Sequence, residues 1–227
     1  MLDQFSPNFD DRPDGAPIDT LVLHYTGMET ADAALDRLCD QTAKVSAHYV
    51  IDEDGTVCRL VAEQARAWHA GKSFWRGVSG LNACSIGIEL VNPGHEFGYR
   101  PFPDVQMAAL ISLGHDILSR HPISPRNVVG HSDIAPARKE DPGELFDWKQ
   151  LAAAGIGLWP GDVPALALAL GADDAATALA TIGYDTEDLS AAIRAFQRRF
   201  RPGTIDGGLD AETCSKIAQV QALFEGA

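Results

Sequence analysis

No apolar run in this 227-residue chain approaches the roughly 18 residues that a membrane-crossing helix needs. A membrane partner is therefore not expected. The opening residues, MLDQFSPNFDDRPDGAPIDT, hold no basic stretch followed by an apolar one. Without such a leader the expected location is cytoplasmic, with the periplasm as the alternative if a signal peptide has been trimmed. Basic residues are scarce: 18 Lys and Arg stand against 32 Asp and Glu, a formal net charge of −14. Such a surface repels a phosphate backbone, which excludes nucleic acid as the expected partner. The four cysteines, Cys39, Cys58, Cys84 and Cys214, include no CxxC pair. Scattered in this way, they read as free thiols of a reducing compartment rather than as two disulfides. Biased tracts are also missing, and 45% apolar with 22% charged residues describes a soluble globular protein. The length allows one substantial core, or one ordinary domain with a small satellite.

What is present alternates between strand and helix signals. IDTLVLHYTG reads as a core strand carrying His24 near its end, and METADAALDRLCDQ reads as a helix with Thr30 as its N-cap. SAHYVIDEDGTVCRLV is a hairpin turning at DEDG, and CSIGIELVN is a further strand. DVQMAALISLGHDILSR predicts a long helix with Val105, Ala108, Ile111, Ile117 and Leu118 on one face, and RNVVGH supplies a last short strand. This order predicts an α/β fold, a mixed central β-sheet flanked by helices, over residues 1–159. Beyond LWPGDVP the chain is alanine-rich, with three or four helical stretches and no strand. Residues 160–227 are expected to form a small C-terminal three-helix domain.

The segment GHSDIAPARKEDPG, residues 130–143, has neither period and carries unusual chemistry. His131 and Asp141 are both metal-ligand types, and a catalytic zinc site takes three protein ligands and leaves one position open. His24, at the end of a core strand, is the natural third. Glu89 lies within the apolar run IGIELVN, where an acid is costly unless it faces a site, the alternative being a solvent-facing position on an edge strand. Lys139 stands two residues before Asp141, and in an extended loop that spacing points both side chains the same way. Arg138 and Glu140 then point oppositely. His95, His115 and His121 carry no such pattern.

Five motifs in order, LVLHYTG, SAHYVIDEDGTV, WHAG, NACSIGIELVN and GHSDIAPARKEDPG, resemble the zinc-dependent N-acetylmuramoyl-L-alanine amidases of the type 2 amidase family, relatives of phage T7 lysozyme and the peptidoglycan recognition proteins. The resemblance spans roughly residues 17–150. It implies Zn²⁺ held by His24, His131 and Asp141, Glu89 as the base for the attacking water, and Lys139 as the cation beside the tetrahedral oxyanion. His48, His69 and Asn82 are expected along the cleft, touching substrate or orienting the ligands. One departure stands out: the catalytic tyrosine of the phage branch falls on Ala47, which favours the muropeptide branch that uses the strand glutamate.

The C-terminal part resembles the three-helix peptidoglycan-binding domain, with AFQRRF and IDGGLDAET as its marks. Ile193, Phe196 and Phe200 share one helical face and are expected in its core rather than on a sugar-stacking platform. The implied partners are peptidoglycan fragments, soluble 1,6-anhydro-muropeptides of cell-wall recycling or intact sacculi, with no obligate protein partner evident. A non-catalytic peptidoglycan receptor and a zinc endopeptidase cutting within the stem peptide are the alternatives.

Overall fold

A computed structural model describes residues 1–161 and 169–226. In chain order, β1 (Leu2–Asp3), β2 (Phe9–Asp11) and β3 (Thr20–Tyr25) precede α1 (Ala31–Cys39). Next come β4 (Tyr49–Ile51), β5 (Val57–Arg59), β6 (Ala65–Ala67), β7 (Phe74–Trp75), β8 (Val78–Ser79) and β9 (Ser85–Leu90). After α2 (Gly94–Phe97) and α3 (Asp104–Arg120) come β10 (Val128–Gly130), α4 (His131–Ile134) and α5 (Trp148–Ala153). Three helices close the chain: α6 (Ala172–Ile182), α7 (Leu189–Phe200) and α8 (Ala211–Glu225).

Six strands form one mixed sheet in the order β1-β5-β4-β9-β3-β10, in which only the β4–β5 hairpin is antiparallel. The central pair β3–β9 is covered on both faces, which is why TLVLHY and SIGIEL are apolar almost throughout. Alternation sends Leu21, Leu23, Ile86, Ile88 and Val128 to one face, where Met107, Leu110, Leu113 and Ile117 of α3 cover them. Val22 and Val129 point to the other face and join a core with Phe196, Ile217, Val220 and Phe224 of α7 and α8. Each such side chain, fully buried, is worth about 1.5–3 kcal/mol relative to an exposed one. The α/β class with its flanking helices is as the sequence implied.

Local signals hold where they rest on capping chemistry. The Thr30 side chain accepts from the Ala33 amide, and Asp188 and Asp210 do the same for α7 and α8. Two expectations are corrected. On α3 the buried face is Gln106, Met107, Leu110, Leu113, Gly114 and Ile117, while Val105 is 52% exposed. Gln106 earns its place inside by donating to the Ile51 and Val91 carbonyls at 2.9 and 3.0 Å. The segment after β10 is not wholly irregular, because Asp133 Oδ2 accepts the Gly130 amide at 2.8 Å and closes the single turn α4.

Ile193, Phe196 and Phe200 are all in the core. The expected linker falls partly on residues 162–168, outside the described residues. All four cysteines are unpaired thiols. Among the described residues no helix is long and apolar enough to cross a membrane.

Candidate metal centre and its cleft

Parallel pairing of β3 with β9 sets His24 directly across from Glu89, both on the face away from α3. Register alone thus brings a strand-end imidazole beside a strand carboxyl. Strand β10 runs next to β3 and delivers His131 at its end, on the first residue of α4. The following loop returns so that the Asp141 carbonyl accepts the Ser132 amide at 2.8 Å. Three donor atoms then converge: His24 Nδ1 lies 3.0 Å from His131 Nδ1, and Asp141 Oδ2 lies 2.9 and 3.1 Å from the two. All three residues are buried.

The outward nitrogens decide what those inner atoms carry. His131 Nε2 faces the Ala70 carbonyl at 3.1 Å, and a carbonyl only accepts, so Nε2 carries a hydrogen and Nδ1 is the atom left to bind an ion. For His24 the assignment runs through a relay. The Ser85 hydroxyl donates to the Leu81 carbonyl at 2.6 Å, so Ser85 Oγ accepts from His69 Nε2 at 3.1 Å. His69 Nδ1 is then the acceptor for His24 Nε2, 3.0 Å away. Burial first, and the neighbouring imidazoles second, hold His69 well below its usual range and pull His24 down to about 4, so both rings are neutral near pH 7.

Two Nδ1 atoms, each on a ring whose Nε2 already faces an acceptor, and a carboxylate oxygen sit 2.9–3.1 Å apart, so three lone pairs converge on one point when Nδ1 of both rings is bare. That arrangement repels itself unless a cation lies against it. The spacings approach the ~3.3 Å edge of a tetrahedron with bonds of about 2.0–2.1 Å. The residues present fit a small divalent metal ion.

Glu89 stands beside this centre, buried, and its Oε2 has no hydrogen-bond partner. Burial, reinforced by the Asp141 carboxylate and opposed by Lys139, holds the Glu89 carboxyl well above its usual range. Glu89, Lys139, His69, His131 and Asp141 share a cavity of about 370 Å³, which Arg37 and Leu38 of α1 also line. Arg138 and Glu140 line the same cavity as Lys139 and Asp141, so the loop, which is not an extended strand, does not divide its side chains between two sides as the spacing implied. Arg138 donates to the Ala70 and Lys72 carbonyls, and Glu140 meets Arg198.

Two expected cleft residues lie elsewhere. His48 is fully buried, with Nδ1 accepting the Gly87 amide at 3.0 Å and Nε2 between the Arg12 guanidinium at 3.1 Å and the Ala65 carbonyl at 3.2 Å, so both nitrogens are occupied away from the cavity. Asn82 Oδ1 accepts the His69 and Ala70 amides at 3.1 and 2.7 Å and shapes the turn beneath His69 instead of meeting the cavity. Sequence reasoning missed Ser85, although it alternates with Gly87 and Glu89 on one face of SIGIEL. It also missed Tyr99, whose hydroxyl donates to the Pro142 carbonyl at 2.7 Å and steadies the loop just after Asp141. Gly143 has φ of +87°, and a Cβ there would strike the Tyr99 ring.

Known proteins share this sequence and fold. The family model described as N-acetylmuramoyl-L-alanine amidase matches residues 14–144. N-acetylmuramoyl-L-alanine amidase AmiD of Escherichia coli is 42% identical, over 92% of this chain and 83% of its own length. Its structure, described as a complex with the substrate anhydro-N-acetylmuramic acid-L-Ala-D-gamma-Glu-L-Lys, superposes with a TM-score of 0.81 at 36% identity and covers 95% of this chain and 98% of that one. AmpDh3 of Pseudomonas aeruginosa gives 0.82 at 34% identity, over 99% and 100% of the two chains. The 1,6-anhydro-N-acetylmuramyl-L-alanine amidase AmpD of Haemophilus influenzae is 34% identical over 64% of this chain and 86% of its own.

Proposed function

The chain belongs to the N-acetylmuramoyl-L-alanine amidase family, and on that premise we propose that it hydrolyses the amide joining the N-acetylmuramic acid lactyl group to the L-alanine of the stem peptide in anhydro-muropeptides. The observation that carries this is the convergence of two imidazole nitrogens and a carboxylate oxygen beside the buried Glu89 carboxyl, whose Oε2 has no partner. Zinc is the ion this donor set suits, since two neutral imidazoles and one carboxylate leave it a net positive charge and one position for the reaction. Bound there, zinc supplies Lewis-acid polarisation of the scissile carbonyl and acidifies water.

The remaining work falls to side chains. His24, His131 and Asp141 hold the ion. Glu89, raised in basicity by burial, takes the proton of the attacking water at Oε2 and delivers it to the departing amine nitrogen. Lys139 sets a cation against the negative charge that grows on the carbonyl oxygen. Arg37 and Arg138 also line the cleft of a chain whose net charge is −14, which supports a substrate bearing carboxylates, as stem peptides do.

The same reading takes residues 1–159 as the catalytic domain and 160–227 as a helical one, supported by the mutual packing of Leu179, Phe196, Ile217 and Phe224. Four unpaired thiols support action in the cytoplasm, on soluble fragments.

The test is mass spectrometry of products after zinc-loaded protein meets soluble anhydro-muropeptides and intact sacculi separately, with a chelated control. Free stem peptide from the soluble substrate, lost on chelation, is expected. Cleavage inside the stem would assign an endopeptidase, and binding without turnover would assign a receptor.

A further inference from the structure

Two adjacent arginines on α7, Arg198 and Arg199, are only 8% and 3% exposed. Arginine is seldom so deeply buried without a partner that requires it. Here the partners lie on the metal-bearing loop. Arg199 Nη1 donates to Asp133 Oδ2 at 2.7 Å and Nη2 to the Val128 carbonyl at 3.2 Å, while its guanidinium carbon lies 3.9 Å from the Trp148 ring centroid. Asp133 is fully buried and also accepts the Tyr184 hydroxyl at 2.7 Å and the Gly130 amide at 2.8 Å. It belongs to α4, the single turn that begins with His131. Arg198 Nη2 donates to Glu140 Oε1 at 3.1 Å, next to Asp141.

The segment from His131 to Asp141 is thus gripped near both ends, two residues after the first ligand and one before the last. Docking the helices on the sheet needs no such device, because the apolar contacts of Val22, Val129 and Ile134 with Phe196 and its neighbours already supply an interface. A buried ion pair adds little net stability over apolar packing, whereas its hydrogen bonds fix geometry.

We propose that the C-terminal helices are a positioning element of the metal centre. Arg199 and Tyr184 fix Asp133, and through it the turn presenting His131, and Arg198 restrains the loop beside Asp141. This rests on the reading of His24, His131 and Asp141 as the zinc ligands.

The full chain, its Arg199→Met, Tyr184→Phe and Arg198→Gln variants, and a control, Arg201→Gln, are compared. Arg201 pairs with Asp210 and Glu212, which belong to the C-terminal region and not to the loop. Zinc affinity is measured by chelator competition, cobalt(II) absorption reports ligand geometry, and thermal melting reports the fold. Arg199→Met is expected to weaken zinc binding about tenfold, the loss typical of a group supporting a ligand, and to alter the cobalt spectrum. Tyr184→Phe and Arg198→Gln shift both in the same direction by less. Arg201→Gln lowers the melting temperature and leaves zinc affinity where it was. Zinc affinity and cobalt spectra unchanged in the three loop variants, whatever happens to their melting temperatures, would overturn the proposal. If Arg199→Met does not fold, the other two decide. A parent chain that takes up no zinc refutes the metal reading itself, and the clamp with it.

Discussion

Replacing His69 with Phe keeps a ring of similar size on Gly87 and removes the only side-chain acceptor that holds the hydrogen of His24 on Nε2. His24 then has two options. It can leave Nε2–H buried without a partner, which costs about 1–3 kcal/mol. Or it can move that hydrogen to Nδ1, where it faces Asp141 Oδ2 at 2.9 Å and occupies the lone pair the metal needs. Only the second route counts against metal binding, because an unpartnered Nε2–H present before and after the ion binds cancels; returning the hydrogen to Nε2 to free the lone pair costs about 1–3 kcal/mol, which at about 1.4 kcal/mol per tenfold corresponds to roughly a 5- to 150-fold loss of zinc affinity. That brackets the roughly 10- to 100-fold loss usual for partners of metal-bound histidines. Chelator competition measures it directly, and at saturating zinc most activity should return with KM little changed. An unaltered zinc affinity accompanied by a raised KM would refute the relay and make His69 a substrate contact instead.

Three further outcomes follow from the same geometry. Glu89→Gln should retain zinc while turnover falls by about 10²- to 10⁴-fold, the usual worth of a positioned base, as steady-state kinetics beside metal analysis would show. Gly87→Ala drives a methyl into the buried His69 ring, so destabilisation of about 1–3 kcal/mol in denaturant melts should accompany weaker zinc binding. Glu63 is pushed up by burial, but bonds from Arg120, His121 and Tyr49 outweigh this and draw its carboxyl down to about 2. Its folded value is depressed, so its contribution is whole above the ordinary 4.5 and fades as pH falls toward 2. Thermal melts of the chelated protein should therefore decline more steeply across that window than those of Glu63→Gln, and parallel curves would count against the network.

The site was legible where chemistry and position coincide. A histidine at a strand end, an acid inside an apolar strand and a loop crowded with ligand types are costly placements without a use, and the structure brings them together: Glu89, His131, Lys139 and Asp141 line one cavity and His24 lies against His131 and Asp141. Strands β1 and β2 were not legible, since two or three residues acquire strand character only through remote partners, Leu2 opposite Cys58 and Phe9 opposite Ala67. His48 shows another limit. Its place in SAHYV looked like a cleft position, but beside β9 it meets the Gly87 amide, the Ala65 carbonyl and Arg12, which occupy both nitrogens. Nothing in AFQRRF sets Arg198 and Arg199 apart from solvated residues of an amphipathic helix, and only the fold reveals that they face Glu140 and Asp133. Periodicity reports which face of an element is apolar, but not whether the polar face meets water or another part of the chain.

The central claim is that the donor triangle exists to bind zinc for amide hydrolysis. Metal content and muropeptide cleavage, measured together on the purified chain and on Asp141→Ala, test it most directly. One zinc per parent chain with release of stem peptide is expected, and both should be lost in the variant. An Asp141→Ala protein that keeps its zinc and its activity would contradict the account.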